Sequence, residues 1–380
     1  MAASALKQLA PKPAERRLVD SIELIERWDD VPLSPQEWNS LVARNDTDTV
    51  FQTYEWCDAW WRVFGRRGRL FFLLWRVDGQ PAGFAPLMLR RNVAGLWQLE
   101  LIGTGNADYQ DFVFPDAKAQ AIAAVGTFLR QGAAQWDRMR LCNVPEQSST
   151  LRLLTEATRG GLYRVDEARL RCPALVLHPD STDARALINK YSLRRPQNWF
   201  AQRGTLIFRH VTDPGEIQRL LPVFFDQHNR RWRAEKLPSI FESQEQRTFY
   251  QELATAMQRT DSLLFSVVEF DGKPIAFHFG FDYRRRVTWY KPSFEIDYSS
   301  RSPGLLLTRA LIQDALERSR SEFDFSIGDE KFKQRFANID RFNLYASFYR
   351  RRVIAGAAVM LRNSRRLLAR ARRLLGRREI

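Results

Sequence analysis

The chain has 380 residues, 44% of them hydrophobic and 27% charged, with 11 Trp and 26 Phe. That is too long for one ordinary core and too rich in apolar and aromatic residues for a disordered chain. A net charge of +15 calls for a polyanion among its ligands: a nucleotide-bearing cofactor, RNA or the anionic face of a membrane.

The first 17 residues read as a flexible basic tail without the apolar stretch of a secretory signal. No apolar run approaches the ~20 residues of a membrane span, so the sequence predicts a cytoplasmic protein. Ile22–Trp28 alternates like a strand. Ser34 and Glu37 then form a capping box around Pro35, predicting a helix through Trp38 and Leu41. A second helix is predicted at Tyr54–Phe64, its aromatic stripe belonging to the core.

Two β-rich runs, Leu70–Val77 and Pro81–Arg90, flank Asp78-Gly79, a strong hairpin signal. Strands near Leu96–Ile102 and Arg138–Val144 follow, with a helix around Ala117–Gln131 between them. The pattern then returns. Asp78-Gly79-Gln80-Pro81-Ala82-Gly83-Phe84 aligns with Asp271-Gly272-Lys273-Pro274-Ile275-Ala276-Phe277, and Phe51-Gln52 with Phe241-Glu242 upstream. Two matches in register predict a duplicated domain. Between the halves, Asn189–Gly204 reads as a basic, partly helical connector broken by Pro196.

The stretch that carries chemistry runs from Leu263 to Asn338. After a strand at Arg286–Lys291 and a loop, Ser302-Pro303-Gly304 opens a long helix. Ser302 is placed to cap it, and Gly304 lets a ligand approach backbone N–H groups at the positive end of the dipole. Arg301 adds a charge beside them. A strand at Glu322–Ile327 and the segment Gly328–Phe336 follow. From Arg350 onward, Ile354, Ala357, Leu361, Leu368, Ala371 and Leu375 line one side of an arginine-rich helix suited to an anionic membrane or an acidic partner. The three cysteines (Cys57, Cys142, Cys172) and four histidines (His178, His210, His228, His278) lack metal-ligand spacing, so no metal is expected.

Arg301-Ser302-Pro303-Gly304, following strand and loop, resembles the coenzyme A-binding turn of the GCN5-related acetyltransferase (GNAT) superfamily, with Leu306 where a small residue is usual. The S-P-G-L-L-L helix and F-D-F-S-x-G-D-E-x-F-K-x-R-F run are similar to the cellulose-biosynthesis (CelD-like) acetyltransferases, themselves related to Fem-type aminoacyltransferases with two such folds in tandem. The resemblance reaches back to Phe51–Trp61 and Ala107–Phe112.

It implies an α/β (α+β) chain of two tandem GNAT-like domains, each a mixed, mostly antiparallel sheet flanked by helices. The expected division is a tail (1–17), a degenerate, acceptor-shaping first domain (18–185), a connector (186–204), an acyl-CoA-binding domain (205–350) and a cationic amphipathic helix (351–380). Acetyl-CoA or another acyl-CoA would sit between splayed strands, held by Arg301, Ser302, Pro303, Gly304, Leu305 and Lys333. An amine of a sugar or cell-envelope precursor would attack the thioester. His278, Asp329, Glu330 and Tyr290 are the catalytic candidates, with Tyr298 a further proton donor to the leaving thiolate. Asp108, Tyr109 and Asp111 would line the acceptor side. Two alternatives accompany this reading: transfer from charged tRNA, and a non-catalytic role in a polysaccharide-synthesising membrane complex.

Overall fold

The structure, a computed structural model, describes residues 18–19, 22–131, 136–177 and 182–375. The expected basic tail (1–17) and His178 lie outside the described residues, as do the side chains of 365–375.

The first half supplies strands β1 (Leu18–Val19), β2 (Ile22–Ile25), β3 (Arg69–Val77), β4 (Gln80–Arg91), β5 (Trp97–Leu101), β6 (Arg138–Pro145) and β7 (Tyr163–Val176). The second supplies β8 (Leu206–His210), β9 (Leu263–Phe270), β10 (Lys273–Tyr283), β11 (Arg286–Phe294), β12 (Glu322–Asp324) and β13 (Ile339–Tyr349). All join one sheet in the order β1-β2-β3-β4-β5-β6-β13-β7-β12-β11-β10-β9-β8. From either edge inward the pattern is the same: antiparallel strands, then one parallel pair, β5 with β6 or β11 with β12. The last strand of each half crosses over. β7 pairs with β12, β13 pairs with β6, and the two lie side by side at the centre.

Both Asp-Gly turns form as expected, with φ of 49° and 77° in the first and 49° and 73° in the second. Two consecutive positive φ values match the twist of the strands they join. Even the irregularities are duplicated. The register skips Ala82 on β4 and Ile275 on β10, each three residues past its turn glycine.

The helices are α1 (Pro35–Arg44), α2 (Tyr54–Phe64), α3 (Lys118–Gln131), α4 (Thr150–Ala157), α5 (Thr182–Ile188), α6 (Tyr191–Ala201), α7 (Pro214–Ala234), α8 (Gln244–Gln258), α9 (Pro303–Glu317), α10 (Lys331–Gln334) and α11 (Arg352–Leu375). The capping box predicted for α1 is present, with Glu37 N donating to Ser34 Oγ and Ser34 N to the Glu37 carboxylate at 2.8 Å. On one face of the sheet α1, α2, α7 and α8 bury a single core shared by both halves. There Trp56 of α2 meets Phe249 of α8 edge-on at 5.5 Å. The other face carries one core per half, beneath α3 and α4 and beneath α5, α6 and α9.

The connector differs from its expectation. Pro196 sits inside α6, where an interior proline disfavours a helix by about 3 kcal/mol. Yet Leu193, Pro196 and Phe200 are buried, Leu193 and Phe200 in the α9 core, and each large apolar side chain buried returns roughly 1.5–3 kcal/mol. Arg309 of α9 fastens the helix by donating to Ile188 O at 2.7 Å and Gln197 Oε1 at 2.6 Å. This segment is therefore part of the second half's core.

Candidate active site

Parallel strands β11 and β12 pair over only three residues, Arg286 to Thr288 with Glu322 to Asp324. Beyond that β11 continues through Trp289, Tyr290 and Lys291, while the other chain turns away at Ser326, whose φ is 59°. A cavity of about 860 Å³ opens between them. Its walls are Trp289–Pro292 and Phe325–Ile327, the first turn of α9 (Ser302, Gly304, Leu305), and the face of α7 bearing His228, Arg231 and Trp232. Opposite stand first-half residues, Gly105, Asp108, Arg140 and Asn143, with Tyr345 of β13.

At α9 the turn is built differently from its prediction. Ser302 occupies the N-cap position but is left-handed (φ 55°), and its side chain makes no capping bond. Pro303 has no N–H and Gly304, in the first turn, has no acceptor within the helix, so the turn keeps donor capacity for an anion. A Cβ on Gly304 would stand 3.2 Å from Phe294 Cδ1, filling the cradle. Arg301 is exposed, its guanidinium 4.7 Å from the Trp199 ring centroid, and Arg203 lies at 4.6 Å from the same ring. Two guanidiniums are thus held beside the turn. Lys333, 4% exposed, donates to Ile327 O at 2.7 Å and pairs with Glu330 at 3.0 Å on the cavity wall.

The four catalytic candidates are placed unequally. Glu330 lines the cavity. Tyr290 contributes its ring, but its hydroxyl donates to Asn106 O at 2.6 Å and accepts from Tyr250 at 3.0 Å, so the proton is already committed. Burial raises its pKa well above that of a free phenol. Asp329 faces away, 72% exposed, accepting from Arg171 at 3.0 Å and Gln334 at 2.7 Å. The Arg171 hydrogen bond, with that from Gln334, lowers its pKa. His278 is fully buried and stacks on Trp289 at 5.1 Å and 15°. The expectation that it projects into the cleft is corrected: its ring is buried against the Trp289 indole, its Nε2 accepts from Tyr290 N at 3.4 Å, and burial pushes its pKa to about 3. Tyr298 packs with Phe200 and Phe270 in the core.

Of the acceptor-side candidates, Asp108 lines the cavity and accepts a short hydrogen bond from Ser326 Oγ, joining the halves. Tyr109 points elsewhere, donating to Asp324 Oδ1 at 2.8 Å. Asp111 is buried in the first half, accepting from Ser148 at 2.6 Å, Thr47 at 2.8 Å and Lys118 at 3.1 Å.

The first half repeats the parting of a parallel pair, β5 and β6 holding for three residues. Its gap is bridged from within. Gln110 N donates to Asn143 O at 3.0 Å, and Asn143 Nδ2 to Ala107 O at 2.7 Å. At the first turn of α3, Lys118 binds Asp46 at 2.8 Å as well as Asp111.

Sequence reasoning missed Arg231, Lys291 and Asn143, and did not single out His228. The available signal was the i, i+3, i+4 spacing of His228, Arg231 and Trp232 along α7. His228 accepts or donates at Nδ1 to Ser239 at 2.7 Å, and burial with the charges of Arg231 and Lys291 pushes its pKa to about 3. No group of three or more His, Cys, Asp or Glu that could hold a metal occurs among the described residues.

Residues 189–334 match the model of the acetyltransferase (GNAT) domain. No curated protein matches the chain. Among solved structures, FemX matches at 10% identity with a TM-score of 0.58, covering 82% of this chain and 96% of that one. A conserved protein of unknown function from Bacteroides thetaiotaomicron matches at 10% and 0.54, covering 83% and 98%. The C-terminal domain (DUF2156) of a putative lysylphosphatidylglycerol synthetase from Agrobacterium fabrum matches at 16% and 0.51, covering 85% and 95%. The match to the GNAT domain model lies within residues 189–334, in the second half, and over the whole chain the likeness to these structures, at such identities, is one of fold.

Proposed function

We propose that the protein is an N-acyltransferase taking its acyl group from coenzyme A. The observation that supports this most is the continuity of one cavity, from the first turn of α9, through the parted strands, to first-half residues. Phosphates fit the first turn of α9, where the cradle has room because Gly304 lacks a Cβ, with Arg203 and Arg301 on Trp199 at its edge. The cosubstrate supplies an activated thioester carbonyl. The chain supplies position and charge: the parted walls at Trp289–Tyr290 and Phe325–Ile327, between which the donor would lie, and Asp108 across the cavity to receive the acceptor amine and its proton. Glu330 holds Lys333 at the donor wall.

In this reading the first half binds no cofactor and shapes the acceptor site. Its own loop fills the equivalent gap, and Lys118 and Asp111 occupy the start of its equivalent helix. The acceptor class, an amine of a sugar or cell-envelope polysaccharide precursor, and the acetyl group itself rest on the family resemblance of the sequence. Charge favours a second reading. Arg194 and Arg195 are exposed on α6, on the same helix as Trp199, and could receive the backbone of a charged tRNA carrying an aminoacyl group.

Calorimetric titration with acetyl-CoA and desulfo-CoA separates the two. Binding in the micromolar range, lost in Gly304→Glu, is the expected result, because a carboxylate there fills the cradle and repels phosphate. No binding of either ligand by wild-type protein would remove the coenzyme A reading and leave the tRNA one.

A further inference from the structure

Arg231 and Lys291 reach the cavity from different elements, α7 and β11; Arg231 has one long ion pair, to Glu235 on its own helix, and Lys291 has none among the described residues. Arg231 Nε has no hydrogen bond among the described residues. Its carboxylate neighbour Glu235 is 3.7 Å away, and its Nη1 reaches Pro292 O only at 3.5 Å. Lys291 Nζ lies 3.9 Å from the Tyr290 ring centroid and makes no ion pair or hydrogen bond among the described residues. Arg140, by contrast, is paired with Glu167 at 3.0 Å, and Lys333 with Glu330. Removing a cation from water without a partner is costly, by several kcal/mol in a dry site. His228 faces both charges and stays neutral. The two carboxylates on the same cavity, Glu330 and Asp108, act on Arg231 and Lys291 through space but are bonded to Lys333 and Ser326, so two cations and an imidazole converge there with room left for an anion.

We propose that Arg231, Lys291 and His228 form an anion subsite separate from the first turn of α9, and that the acceptor carries a carboxylate or phosphate in addition to its amine. The subsite stands on the geometry alone; assigning its occupant to the acceptor rests on the acyl-transfer reading. The opposite wall suits the amine. Asp108 offers a carboxylate, and Asn143, 5% exposed, has an Oδ1 with no hydrogen bond among the described residues. Asn143 Nδ2 is already spent on Ala107 O, so this amide presents an acceptor and selects a donor such as an ammonium. The site would thus hold a molecule with an amine at one end and an anion at the other.

Inorganic phosphate is the first probe, read by the imidazole resonances of full-length protein and assigned with His228→Asn. In Gly304→Glu, where the α9 turn is blocked, phosphate is expected to move the His228 signal and raise its apparent pKa. Lys291→Met should abolish the effect and Lys291→Arg restore it, which a mere folding defect would not do. A His228 signal indifferent to phosphate, or a response that survives Lys291→Met, overturns the subsite.

Acetyl-CoA affinity then identifies the owner of the anion. It should stay within about twofold of wild type in Lys291→Met, whereas a tenfold loss, about 1.4 kcal/mol, would assign the subsite to coenzyme A's own phosphates and overturn the acceptor claim. If wild-type protein does not bind acetyl-CoA yet phosphate moves His228 through Lys291, the donor reading fails while the subsite stands.

Discussion

His278 and His228 are both held near pKa 3 by burial, against about 6.5 in an unfolded chain. Below pH ~6.5 the unfolded chain takes up protons that the folded one refuses, so stability falls as pH drops from about 6.5 toward 3. Burial dominates at both positions, and each group adds to the slope. His278→Gln is expected to flatten the fall in urea midpoint between pH 7 and 4.5 while leaving acetyl-CoA affinity unchanged. An unaltered slope would show that His278 is not held neutral, and a tenfold affinity loss (about 1.4 kcal/mol) that its bond to Tyr290 N shapes the cavity wall. Sequence could place His278 on a strand but not buried against an indole, because which face meets the cavity depends on the register shift between Phe279 and Phe281. Gly304, Glu330, Lys333 and Asp108 were legible, since each lies in a contiguous motif. Lys291, Arg231 and Asn143 were not, because they come from three separated elements and meet only after the halves assemble.

Elements with strong local signals formed close to their predicted bounds: the capped α1, α2, and both Asp-Gly hairpins. Those whose fate depends on packing did not, and α6 is the clearest case, with Pro196 overridden by burial against α9. The cationic helix α11 needs both kinds of argument. Ile354, Ala355, Ala358 and Val359 pack with Val165 and Tyr349 against β7 and β13, whereas Val353, Met360 and Leu361 are 84%, 70% and 62% exposed. No helix among the described residues is long and apolar enough to cross a membrane. Apolar exposure beside arginines suits attachment to an anionic surface. Full-length protein is therefore expected to sediment with phosphatidylglycerol-containing vesicles but not with pure phosphatidylcholine, and to be released by salt. The double change Met360→Glu/Leu361→Glu should abolish sedimentation without touching the packed face. Equal binding to neutral vesicles would dismiss recognition of anionic charge, retention by the double variant would dismiss this face of α11, and no sedimentation with either vesicle would leave an acidic protein partner.

At the scale of the whole molecule, the duplication was legible from two short matches, but the exchange of last strands was not. Strand pairing between β6 and β13, and between β7 and β12, joins residues far apart in sequence, and no local pattern announces a crossover. Its consequence is thermodynamic. A fragment ending near residue 181 would keep β7 but lose β13, leaving β6 with an open edge and half of the shared core in water. Trp56 alone, stripped of Phe249 and its surroundings, would forfeit a large part of the roughly 3–5 kcal/mol that a buried tryptophan contributes. A single domain has only about 5–15 kcal/mol in total. Fragments 1–181 and 182–380 are therefore expected to be insoluble or unfolded when made separately, and to form one soluble complex when coexpressed. The intact chain should unfold in urea as one transition, with tryptophan fluorescence and far-ultraviolet dichroism coincident. Two resolved transitions, or a first fragment that folds alone, would mean that each half owns a closed sheet and that the central crossing adds little. Coincident loss would tie acceptor and donor walls to one cooperative unit, in which a ligand bound at the α9 turn stabilises Asp108 and Asn143 as well.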